Sequence, residues 1–184
     1  PTHRHGTDAF KFKKYEGTDI LPMWVADTEF QCAQPILDAL KAEVDQGILG
    51  YTLPAQHQEA NLAVQRWLRD KHDWVIELDW IVWTPGVVPA FNVASKAFAT
   101  NQKIIVQTPN YPPLLAAPAI HGAERLEVGT VMENNRWTLD FEQLERYAAD
   151  PECHLFIMCN PMNPVGSVLS QAELDKIASI CAKH

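Results

Sequence analysis

Three short stretches hold residue types that could do chemistry, and proline stiffens all of them: "TPGVVPA" (84–90), "TPNYPP" (108–113) and "NPMNPVG" (160–166). The last packs two Asn-Pro pairs into five residues. Proline removes a backbone donor, pins φ and restricts the residue before it, so this loop is held rigid twice over. Asn163, in its middle, presents a neutral donor suited to a ring oxygen that acquires negative charge. The same amide also suits capping its own turn. In the first stretch Gly86 turns a strand into a helix. The free N–H groups of Val87 and Val88 then point out of the helix start, where the macrodipole favours an anion such as phosphate. Pro89 falls in the first turn, where it costs little. A strand-to-helix turn without any ligand has the same pattern. Tyr111, between Asn110 and a Pro-Pro pair, is either a turn aromatic packed on its own helix or a flat face for a planar ligand. Stacking of the second kind is worth about 0.5–1.5 kcal/mol beyond area burial.

Alternating strands and helices must position these loops. "PILDALKAEVDQG" predicts a helix with Ile36, Leu37, Leu40 and Val44 on one face and Gly47 at its stop. "QHQEANLAVQRWLRDKHD" predicts a second helix. From residue 80 the pattern predicts a strand "WIVWT", a helix "VVPAFNVASKAFA", a strand "KIIVQ" and a helical stretch to about Ile120. A strand "ERLEV" follows, then a helix in "TLDFEQLERYAA" with Asp140 ahead of it as a cap. The strand "HLFIMC" leads into the Asn-Pro loop, and Ser170 with Glu173 makes a capping box on "QAELDKIASICAK". Such alternation predicts an α/β fold, a mostly parallel sheet flanked by helices. Ligands bind such sheets outside the carboxyl ends of the strands. All three loops are expected there, and their convergence is the first functional signal. Phosphate, aromatic face and ring oxygen together describe one ligand, pyridoxal 5′-phosphate.

Composition narrows the partners. The net charge is −8, which argues against nucleic acid. No apolar run approaches the ~18–20 residues needed to cross a bilayer, so no membrane partner is expected. The opening "PTHRHGTDAFKFKKYEG" has no apolar core of signal-peptide length, so a cytoplasmic location is expected. Four cysteines (Cys32, Cys153, Cys159, Cys181) lack CxxC spacing and are expected to be buried free thiols. Among seven histidines, the His3/His5 and Cys181/His184 pairs complete no ligand set, so no metal is expected.

With these residues in hand, "LPMWVAD" (21–27), "GYT" (50–52), "TPGVVPAFN" (84–92), "TPNYPP" and "NPMNPVG" resemble the MalY/PatB-type cystathionine β-lyases. These are fold-type-I, aminotransferase-like pyridoxal-phosphate enzymes. "NPxNPxG" marks the wider superfamily, whereas "WVAD" with "PGVVPA" points to the lyase branch. The resemblance implies an α,β-elimination on cystathionine or a cysteine S-conjugate, giving a thiol, pyruvate and ammonia. It implies that Asn163 bonds the cofactor's O3′, that Tyr111 stacks on its ring, and that Gly86, Val87 and Val88 hold its phosphate. Tyr51 would reach the phosphate of a neighbouring subunit in a homodimer, and Trp24, Val25, Ala26 and Asp27 would line the substrate end. After "WVAD" the family usually continues with an acidic-aromatic pair and a proline-rich turn, and here stands "TEFQCAQP".

The family's Schiff-base lysine and its pyridine-nitrogen aspartate are expected beyond residue 184, so no catalytic residue is named within the chain. None of the nine lysines stands in the family's Ser-Lys context, and Lys96 and Lys103 read as solvated. The chain is expected to be the N-terminal part of a longer enzyme and inactive alone. Residues 1–50 would form an N-terminal arm and small-domain or interface segment, and 51–184 the first part of the cofactor-binding large domain. Two other functions fit the same fold: an aminotransferase, and a regulatory binding protein.

Overall fold

A computed structural model describes residues 4–184. The chain forms two compact units, Pro1–Ala60 and Asn61–His184. In the first unit lie the short helix α1 (Phe10–Lys13) and the longer α2 (Gln34–Gln46). Pro35 sits in the first turn of α2, and Gly47 closes it at φ 74°, a left-handed cap that favours glycine. The predicted apolar face is present, yet no residue of α2 is buried, and Ile36, Leu40 and Val44 are all exposed.

Helix α3 (Gln58–His72) leads into the second unit, whose sheet has four strands. β1 (Lys103–Thr108) lies between β2 (Glu124–Glu133) and β4 (Cys153–Ile157), parallel to both. β3 (Arg136–Leu139) pairs antiparallel with β2 at the sheet's edge. β1 is buried from Ile104 through Gln107, as a strand covered on both faces must be. On one face Ile104, Val106 and Ile157 pack with Phe91 and Ala99 of α4 (Val87–Ala99) and with Leu114 and Ala117 of α5 (Pro112–Ile120). On the other, Ile105 and Val128 pack with Leu144 of α6 (Phe141–Ala148) and with Ile177 and Ile180 of α7 (Gln171–Lys183). Both predicted caps form. Asp140 accepts from the Gln143 N–H, and Ser170 and Glu173 bond each other's backbone in a complete capping box.

Four expectations need correction. "WIVWT" forms no strand: a 3-10 turn covers Leu78–Trp80 and extended chain follows. A strand exists only through a pairing partner, and these residues have none among the described residues. Consequently "TPGVVPA" does not leave a strand end, although it still opens a helix. Second, "ERLEV" is only the first half of β2, which runs on through a tight turn at Asn134 and Asn135 into β3. Both asparagines have positive φ, the requirement of a two-residue hairpin. Third, the four free thiols are not buried: Cys32 and Cys181 are exposed, Cys153 and Cys159 half-buried. Burial pushes the Cys153 thiol's pKa upward. Fourth, Lys103 is only half-exposed and ion-paired rather than freely solvated. Its ammonium lies 2.7 Å from Asp150 and 2.9 Å from Glu152, and the pairing raises its pKa. Of the His3/His5 pair, His3 lies outside the described residues. No group of three among the described residues could hold a metal.

Candidate functional site

Chain direction places the three loops. α4 ends at Ala99 and β1 begins at Lys103, so a tight connection forces the helix to run antiparallel to the strand it covers. Thirteen helical residues span about 20 Å, and six strand residues nearly the same. The N-terminus of α4 therefore stands at the carboxyl edge of the sheet. β1 delivers Asn110 and Tyr111 to that edge, and its neighbour β4 delivers the Asn-Pro loop.

At the start of α4, Gly86 adopts φ 119° and ψ 167°, a region essentially reserved for glycine. A Cβ there would meet nothing closer than Pro89 Cδ at 3.9 Å, so backbone conformation, not space, demands glycine. The loop is anchored behind: Trp83 Nε1 donates to Asn61 Oδ1 at 2.7 Å, and Thr84 Oγ1 to Gly86 O at 3.1 Å. Helix geometry leaves the Val87 and Val88 N–H groups without intrahelical acceptors, and no loop carbonyl among the described residues takes them. The first turn carries no acidic side chain that would repel an anion.

Tyr111 is the N-cap of α5, its ring partly exposed. Its N–H donates to Asn110 Oδ1 at 2.8 Å, which fixes the orientation of that buried amide. Asn110 Nδ2 then faces the interior without a partner, the one such side-chain atom among the described residues. Asn163 is exposed and makes no hydrogen bond among the described residues. Around it the loop closes on itself: Met162 N donates to Ser167 O at 2.8 Å, Gly166 N to Met162 O at 2.6 Å, and Leu169 N to Asn160 Oδ1 at 3.1 Å. The turn-capping role, which competes for Asn163 on sequence grounds, falls instead to Asn160.

Unsatisfied N–H groups at a helix start, an accessible aromatic face and an uncommitted amide thus share one edge. Those donors suit a phosphate-bearing planar ring with an anionic oxygen. Residues 24–184 match the family aminotransferase class I and II. The chain belongs to that family. It is 37% identical over 98% of its length to cystathionine beta-lyase PatB of Bacillus subtilis, covering 48% of that protein. Among solved structures, OvoB superposes with a TM-score of 0.91 at 34% identity, covering all of this chain and 48% of that one. Cystalysin from Treponema denticola, described with its pyridoxal 5′-phosphate cofactor, gives 0.88 at 32% identity, with coverage of 98% and 47%. The chain therefore spans about half the length of the relatives it matches, and its fold is that of the fold-type-I large domain.

The remaining predicted residues lie in the first unit. Trp24 donates through Nε1 to Lys11 O at 3.1 Å, edges against Phe10 at 4.7 Å and lies under the Lys14 ammonium. Asp27 pairs with Arg4 at 2.6 Å and gives its carbonyl to Lys11, and the Arg4 hydrogen bond holds its carboxyl below the ordinary range. Val25 is half-buried and Ala26 exposed. Tyr51 is fully exposed.

Two residues with a place in this geometry escaped the sequence reading. Asn110 was seen only as a neighbour of Tyr111. Gln107, fully buried at the end of β1, bonds both backbone groups of Cys159. A polar residue closing the apolar run "IIVQ" was the available signal for the latter.

Proposed function

We propose that the whole protein is a pyridoxal-phosphate-dependent carbon–sulfur β-lyase, with residues 51–184 forming the first part of its cofactor domain. The observation that carries this reading is the convergence of a donor-rich helix start, Tyr111 and Asn163 on one sheet edge. The family match and the 37% identity to a cystathionine beta-lyase support it. Val87 and Val88 N–H would hold the phosphate, with Gly86 supplying the turn that aims them. Tyr111 would cover one ring face and keep water from it. Asn163 would donate to the ring oxygen, steadying negative charge there without adding any. Trp24 through Asp27 would border the substrate, and Tyr51 would reach a partner's phosphate in a homodimer. When bound, pyridoxal phosphate supplies the electron sink that lets a Cα proton and then a Cβ–sulfur bond depart. A cytoplasmic setting accords with four free thiols.

The family's own description favours a second reading, an aminotransferase, since both chemistries begin by removing the same Cα proton. Incubating the cofactor-loaded whole protein with cystathionine separates them. Pyruvate and a thiol released without any keto acid added support the lyase. Turnover that requires a keto-acid acceptor supports the aminotransferase.

A further inference from the structure

Gln107 is the last buried residue of β1, its carboxamide fully enclosed. Ladder pairing between β1 and β4 ends at Val106 and Ile157, so Cys159 has left the sheet. Gln107 takes over where the ladder stops. Its Nε2 donates to Cys159 O at 3.0 Å, and its Oε1 accepts the Cys159 N–H at 3.0 Å. A carboxamide meets both demands without charge through two separate atoms, whereas ionised Glu offers no donor and an apolar chain offers neither group.

The consequence reaches both sides of the site. Beyond Gln107, the same chain runs through Asn110 to Tyr111. Beyond Cys159 lies the closed loop that carries Asn163. At its far end this loop is tied to β3, by Ser167 Oγ donating to Trp137 O at 2.6 Å and Arg136 Nη1 to Val168 O at 3.0 Å. At its near end Gln107 ties it to β1. We propose that Gln107 is a positioning residue: its two hydrogen bonds set the distance between the ring face offered by Tyr111 and the donor offered by Asn163. The inference rests on Asn163 acting as the ring-oxygen donor.

Hydrogen exchange and absorbance test it in the whole protein. In the cofactor-free form, the Cys159 amide should be protected although it lies beyond the strand, and Gln107→Met should speed its exchange at least about ten-fold while β1 and β2 stay protected. In the cofactor-loaded form, Gln107→Met should move the pH midpoint of the absorbance in the same direction as Asn163→Ala. It should lower kcat/KM about 10- to 100-fold, the scale of a small misplacement. Added to Asn163→Ala it should change neither quantity further, because it acts through that residue. Should the Met variant fail to fold, Gln107→Asn, one methylene short, is held to the same outcomes. Free exchange of the wild-type Cys159 amide overturns the clamp. Additive effects with Asn163→Ala overturn the positioning role and leave Gln107 a packing residue. An unchanged titration in Asn163→Ala alone overturns the parent reading, and the positioning role with it, whatever the exchange data show.

Discussion

Arg136, on the edge strand β3, donates to the Glu173 carboxylate at 2.6 Å across the start of α7. The same carboxylate accepts from the Thr138 hydroxyl, from Ser170 N at 2.6 Å and from Ser170 Oγ at 2.7 Å. Enclosure alone would push Glu173 upward. The donors outweigh it and pull the group from an ordinary 4.5 down to about 2. Its stabilising contribution is therefore complete above pH 4.5 and is lost as pH falls toward 2. We expect Glu173→Gln to destabilise the whole protein by about 1–2 kcal/mol at pH 7, the scale of a lost cap with a charged hydrogen bond. Denaturant titrations of both forms check this, and the gap between them should narrow steadily below pH 4.5. A gap that is constant with pH would mean that the Glu173 charge contributes nothing.

How much of this was legible beforehand depended on whether the cause was local. The Asp140 and Ser170–Glu173 caps were readable because a cap is a contract between residues three apart. The parallel alternation of β1, β2 and β4 with helices was readable from period and punctuation. "WIVWT" was misread because its apolar run resembles a buried strand, while strand formation requires a partner that periodicity cannot supply. β3 was missed although "ENNR" carried its hairpin signal, because the residues after it also fit the start of a helix. At the site, Gly86, Tyr111 and Asn163 announce themselves through proline-bounded turns. Gln107 does not, since its meaning lies in a bond to Cys159, 52 positions away.

Lys103 yields the second prediction. It stands at the first residue of β1, about 20 Å of strand away from the carboxyl edge, and is paired with Asp150 and Glu152. Lys11 pairs with Glu29, Lys183 with Glu145, and Lys176 lies over the Phe141 ring. None of these suits a lysine that must reach a cofactor bound among the three loops. Borohydride reduction of the pyridoxal-phosphate-loaded whole protein, followed by peptide mapping, should place the pyridoxyl label outside residues 1–184. A single stoichiometric label on a lysine within them would remove the argument.

Asn163 yields the third. Its amide is exposed and makes no hydrogen bond among the described residues, while its loop is closed by three bonds among Asn160, Met162, Gly166, Ser167 and Leu169 with the Gln107 clamp beside them. A stiff loop around an idle donor makes sense when the donor must meet one oxygen in one orientation. In the whole protein, Asn163→Ala should shift the pH midpoint of the cofactor's absorbance and lower turnover by the equivalent of about 1.5–3 kcal/mol, the worth of a hydrogen bond to a charged oxygen. Cofactor occupancy, measured after gel filtration, should fall much less than turnover.

Tyr51 yields the fourth, and it concerns quaternary structure. It follows the helix that Gly47 ends, on a connection with no regular structure, and its side chain is as exposed as in an extended peptide. A tyrosine so placed has its hydroxyl free to donate elsewhere. In the proposed two-fold dimer each Tyr51 would donate to the phosphate held by the partner's α4, a reciprocal contact of the kind an isologous interface produces. Mixing two inactive whole-protein variants, Tyr51→Phe and one lacking the cofactor lysine, discriminates the arrangements. If Tyr51 works across the interface, each heterodimer has one site with both lesions and one with neither. Equal random mixing should then restore roughly a quarter of wild-type activity, since half the dimers are hybrid and each hybrid has one intact site of two. If Tyr51 serves its own subunit, every site keeps one lesion and mixing restores nothing. Full activity in Tyr51→Phe alone would show that the hydroxyl has neither role.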